Sequence, residues 1–147
     1  MIYELPDELR LGVSGIDEQH RQIFMVTAQM RLARDRGEGE KRLFALLAFL
    51  NQHLHDNFTR EETFMIRYGY DQYQDHLARH QEFAEKFAEF QTSLQCHGPS
   101  LRLVVQTTRF LSDWLKEHIG ITDRAMIEFL KPLLLEAKAA GEKIWRM

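Results

Sequence analysis

Six side chains able to bind a metal ion occupy positions where the helical pattern of this 147-residue sequence expects an inward-facing residue. His76 and His80 stand one turn apart, so both imidazoles share one helix face with Tyr73, Phe83 and Phe87. Glu61 falls on the stripe of Leu50, Leu54, Met65 and Tyr68, and His20 aligns with Ile16, Ile23 and Thr27. Leu111, Trp114 and Leu115 lead into His118, with Asp123 five residues later. At about 100° per residue, Asp123 comes roughly 140° around a straight helix from His118, so a plain helix does not aim both inward. Gly120 between them predicts a local irregularity, a π-type bulge, that turns Asp123 toward the same point.

The chemistry follows from the cost of burial. Imidazoles and carboxylates gathered at one level of a helical core are hard to sustain unless a cation compensates them. Nitrogen and carboxylate donors without thiolate suit iron or manganese better than a structural zinc, and two carboxylates allow bridging between two ions. A dinuclear centre is the economical reading. Taken singly, each piece has a plainer explanation: an exposed histidine pair, a surface glutamate, a histidine and an aspartate at helix ends. Their joint placement is what favours metal.

The elements that must position these residues are helices. Eight Gly, three Pro and 44% hydrophobic residues at helical spacing imply an all-α fold with a real core. We expect an arm over 1–16 and a first helix opening near Asp17, whose carboxylate caps free amides. A second helix follows the polar stretch 36–39, a third follows the turn at 68–71, and a fourth runs from Ser100. Short connections predict an up-down-up-down four-helix bundle over 17–128, with a helical tail over 129–147. That tail, with Pro132, Leu135, Ile144 and Trp145, either packs on the bundle or leads to a partner. The whole reads as one domain.

A formal net charge of -3 from nearly balanced acids and bases leaves no basic stripe for a phosphate backbone, so nucleic acid is not an expected partner. The first residues lack the pattern of a secretion signal and no apolar run approaches membrane-spanning length, so a cytoplasmic protein without a membrane partner is expected. The one cysteine, Cys96, forms no internal disulfide and reads as an incidental thiol near a loop.

In order and spacing these residues resemble the hemerythrin family, specifically bacteriohemerythrins, across nearly the whole chain. Gly15-Ile16-Asp17-Glu18-Gln19-His20 is similar to the family's first ligand motif, the segment from Gly69 to Phe83 to its HxxxH motif, and Trp114-Leu115-Lys116-Glu117-His118 with Asp123 to its last. The resemblance implies two non-haem iron ions joined by an oxo or hydroxo bridge. One iron would take His76, His80 and His118, Glu61 and Asp123 would bridge, and the second iron would take His20 and bind oxygen at an open position.

The family pattern HFxxEE reads here Asn57-Phe58-Thr59-Arg60-Glu61-Glu62, with asparagine where a second histidine is expected. Water or an open position is the favoured replacement; the Asn57 amide oxygen, or His53 reaching down from one turn earlier, are the alternatives. By resemblance the chain is a non-enzymatic protein that binds dioxygen or another small diatomic or anionic ligand at iron; the departure at Asn57 favours an oxygen or redox sensor, with a signalling domain or protein as output through the C-terminal helix, over a reversible oxygen carrier. The competing readings are an oxidase or peroxidase, in which the open iron turns over, and an iron-holding protein.

Overall fold

The helices form where the apolar periodicity placed them, and their ends are set by local backbone chemistry. The computed structural model describes residues 4–142. Helix α1 spans Ser14–Asp35, α2 Gly39–Tyr68, α3 Tyr73–His97 and α4 Leu101–Glu117. A π-helical turn, His118–Asp123, joins α4 without a break to α5, Arg124–Ala139. Gly69 ends α2 in the left-handed region at φ 67°, where Tyr70 N–H donates to the Met65 carbonyl at 2.9 Å, a closure that a side chain at this residue would strain. Ser100 starts α4 by accepting from Leu103 N–H at 3.1 Å.

With connections this short, consecutive helices run antiparallel. α1 packs on α2 and α4, and α3 packs on α2 and α4, which closes the ring of an all-α, up-down-up-down four-helix bundle, as expected. No helix of the described residues is long and apolar enough to cross a membrane.

α1 opens at Ser14, earlier than the expected Asp17. Asp17 does not cap its own helix: its carboxylate accepts from Leu11 N–H at 2.8 Å and Gly12 N–H at 3.1 Å. It ties down the arm, which contains a 3-10 turn at Asp7–Leu9 and buries Leu5, Leu9, Leu11 and Val13. The expected boundary at 129 falls inside α5, whose Leu130 and Leu134 are fully buried. This stretch packs on the bundle; Ile144 and Trp145 lie outside the described residues.

Two apolar clusters fill the interior. The larger gathers Ile23, Leu54, Phe83, Leu115 and their neighbours; the smaller gathers Ile16, Phe64, Met126 and Leu130 with Tyr73 against them. On every helix the chain passes from one cluster to the other through the metal-binding residue types: Ile16, His20, Ile23 on α1; Leu54, Asn57, Glu61, Phe64 on α2; Tyr73, His76, His80, Phe83 on α3; Leu115, His118, Asp123, Met126 along the last rod. One polar layer is thus clamped between two apolar ones. Each large side chain in those clusters contributes about 1.5–3 kcal/mol by leaving water, and that term holds the layer in place.

Candidate metal centre

The polar layer is closed off from the surface. His20, Glu61, His76, His80, His118 and Asp123 are all buried. Glu61, His76, His80, His118 and Asp123 each offer a ligand atom, and these atoms lie within 4.8 Å of one another. His20 joins them from α1, with Nε2 3.0 Å from Asp123 Oδ2 and 3.4 Å from Glu61 Oε2. All six side chains expected to face inward are therefore brought together.

Their oxygens divide between two sides. Glu61 Oε1 lies 3.2 Å from His76 Nε2 and 3.1 Å from His80 Nε2, and Asp123 Oδ1 lies 3.2 Å from His76 Nε2 and 3.1 Å from His118 Nε2. The other oxygen of each carboxylate is the one near His20. One side thus collects three imidazoles and two oxygens, and the other collects one imidazole and two oxygens. Two carboxylates set across the boundary in this way are disposed to bridge a pair of cations.

The π turn is what admits Asp123. In an i→i+5 turn residues five apart return to nearly the same face, so His118 and Asp123 both point inward, as the sequence pattern required. The Gly120 carbonyl in this turn accepts from Arg124 Nε at 3.2 Å.

The surroundings of the two sides differ. His80 Nδ1 donates to Glu62 Oε2 at 2.9 Å, which fixes the tautomer and leaves Nε2 with a lone pair toward the layer. Its ring stacks on Phe58 at 3.8 Å between centroids, and His118 stacks on Trp114 at 4.4 Å. Around His20 there is less support: both its ring nitrogens lack an aligned hydrogen-bond partner. Asn57, buried one turn before Glu61, donates from Nδ2 to Gln19 Oε1 at 3.1 Å. His53 is not part of the layer; its Nδ1 bonds the Phe49 carbonyl at 3.0 Å and its ring stacks on Phe49. His55 is exposed, and so is Cys96.

Two observations test whether cations fit. Glu61 Oε2, both Asp123 oxygens and His20 Nε2 are buried and close together, yet none has a hydrogen-bond partner, because they aim at common points and not at one another. His80 Nε2 also lies 3.1 Å from His76 Nε2 and 3.2 Å from His118 Nε2, a crowding of like atoms that suits ligands of one ion. The donor set fits.

Without metal the layer holds protons. Burial pulls His20 and His76 down, but their contacts with Asp123 and Glu61 outweigh it and both are pushed up to about 9; His118 is raised by the same balance. Burial pushes both carboxylates up, and the Glu61 charge raises Asp123 further, but His118 and His20 bring Asp123 to about 2 and the four imidazoles hold Glu61 well below the usual carboxylate range. At neutral pH the metal-free layer is therefore an ion-pair cluster whose protons a metal must displace.

Glu62, Phe58, Trp114 and Gln19 were not singled out from sequence as supports. Glu62 had a signal: it follows Glu61 on a helix antiparallel to the one carrying His80, so it reaches that ring's outer nitrogen.

A family model described as the hemerythrin HHE cation binding domain matches residues 11–130. The chain is 31% identical over 120 residues to a bacteriohemerythrin of Methylococcus capsulatus, which covers 80% of this chain and 87% of that one. It is 25% identical over 125 residues to a bacteriohemerythrin of Clostridium acetobutylicum, 83% and 96% covered, and 26% identical over 125 residues to one of Stenotrophomonas maltophilia, 85% and 79% covered.

Proposed function

This chain belongs to the hemerythrin family, and on that premise we propose that it holds two non-haem irons in the polar layer and binds dioxygen there as a sensor of oxygen or redox state. The observation that carries the proposal is the division of the Glu61 and Asp123 oxygens between a three-imidazole side and the His20 side. In this reading His76, His80 and His118 would hold one iron and His20 the other, with Glu61 and Asp123 offering an oxygen to each side. Iron bound in this layer would supply one-electron redox chemistry and an open position for a small ligand.

The chain's own residues set the conditions. Glu62 fixes the His80 tautomer, Phe58 and Trp114 hold two rings in plane, and the apolar clusters keep bulk water out. Asn57 spends a donor on Gln19 and brings no imidazole to the His20 side, which favours an open, readily oxidised position over long-lived oxygen storage. We read the protein as a cytoplasmic binding module without turnover, a single domain whose α5 leads toward an output domain or protein.

Metal analysis with optical spectra is the test. Two irons per chain retained through gel filtration, with a spectrum that changes when anaerobically reduced protein meets air, are expected. One iron or none, with no change in air, would overturn the di-iron reading; steady consumption of dioxygen or peroxide beyond that of free iron would make the protein an oxidase or peroxidase. Asn57→His should slow oxidation in air by about tenfold or more if the added imidazole supports the second iron.

A further inference from the structure

We infer that the cavity between the amino-terminal arm, α1 and the α4–α5 rod binds a small amphipathic organic monoanion of the medium-chain carboxylate class. Its volume is about 390 Å³, within the range of small-molecule sites. Its walls are apolar and come from separate elements: Leu9 of the arm, Phe24 of α1, Leu115 of α4 and Ile121 of the π turn.

Two cations line the same cavity, Arg31 of α1 and Lys116 of α4, and neither forms an ion pair with a carboxylate among the described residues. Glu8 is the single lining carboxylate; it is exposed, and its backbone carbonyl takes the Arg124 guanidinium. The lining therefore keeps one net positive charge.

A third feature points to a ligand with a polar end. Ser112 Oγ is buried against this cavity and has no hydrogen-bond partner, whereas Thr27, also in the lining, is satisfied by the Ile23 carbonyl at 3.0 Å. An unmet buried hydroxyl beside two unpaired cations calls for an acceptor carrying negative charge. The apolar walls call for a hydrocarbon body. A neutral hydrocarbon leaves the cations and Ser112 unmet, and a multiply charged anion would be poorly solvated by these walls. A single carboxylate on a short aliphatic chain satisfies all three features. This site does not depend on the metal reading.

The test is calorimetric titration of octanoate into the intact chain, with 1-octanol as the uncharged comparison. Saturable binding at one site per chain is expected for octanoate, with octanol weaker by about tenfold or more. The double variant Arg31→Gln, Lys116→Gln, altered only in side chains that reach solvent, should weaken octanoate by a similar factor and leave octanol unchanged. Ser112→Phe should fill the cavity and remove both, with circular dichroism reporting its fold. No saturable heat below roughly 10 mM octanoate, equal binding of octanol, or unchanged octanoate binding by the double variant would overturn the proposal. Co-sedimentation with phosphatidylglycerol vesicles in place of octanoate binding would assign the cavity to a membrane lipid and overturn it as well.

Discussion

The two sides of the polar layer are built to different standards. On the three-imidazole side two of the three rings are held, His80 by stacking on Phe58 and by the Glu62 carboxylate behind it and His118 by stacking on Trp114, while His76 Nδ1 is buried without a hydrogen-bond partner. The His20 side has one ring with no aligned partner on either nitrogen, and its neighbouring Asn57 is turned to Gln19. A better-furnished pocket favours retention of an ion, whereas a sparse one favours exchange of what is bound. On the proposed reading, the first side would hold its ion and the second would respond to what binds there.

The contrast can be broken at its shared parts first. Glu61→Ala removes the carboxylate that faces both sides and leaves imidazoles without their counter-charge, so bound iron should fall from two per chain to none, measured by metal analysis after gel filtration. A protein that kept both irons would show that the carboxylate does not bridge. His20→Ala is the sharper experiment: it should release one iron and leave the other, while His80→Ala should release both because the better-furnished side anchors the pair. Equal losses in the two variants would erase the proposed difference between the sides.

The smallest expected effect is in the metal-free protein and depends on pH. His20 and His76 rise from an ordinary 6.5 to about 9 in the fold, so their contribution is fully present below pH 6.5 and is lost as pH rises through 9. Asp123 falls from 3.8 to about 2, so its contribution is present above pH 3.8 and is lost as pH falls through 2. The Tm of the metal-free chain should therefore be highest between about pH 4 and 6.5 and decline on the alkaline side by an amount corresponding to a few kcal/mol. Loading with metal should abolish the alkaline decline, since the imidazoles are then already deprotonated. A metal-free Tm that is flat from pH 6 to 9 would contradict the ion-pair cluster.

Much of this centre was legible in the sequence because helices convert spacing into direction. His76 and His80 share a face by their four-residue step, and the five-residue step from His118 to Asp123 demanded the wide turn that is found. Long-range pairing was not legible. Glu62 meets His80 across eighteen positions and Gln19 meets Asn57 across thirty-eight, distances that no local periodicity encodes. The assignment of Asp17 as a helix cap failed for a related reason: the amides it satisfies belong to the preceding arm, not to the helix that carries it, which opens at Ser14. His53 lies on the same helix as Glu61, yet the Phe49 carbonyl one turn back is a nearer partner than anything in the layer.

The wide turn has a further consequence when it is counted as length. Buried positions along α4 advance through Val104, Leu111 and Leu115, and those along α5 through Met126, Leu130 and Leu134, about one residue later than a continuous α-helix would place them. The turn is therefore a surplus residue in an otherwise unbroken apolar stripe. Deleting Gly120 would return α5 to phase with α4 and leave the histidine and aspartate four positions apart, still on one face. The insertion is thus separable from the fold it interrupts: a shortened rod could keep its core while changing only the distance at which the aspartate meets its partners.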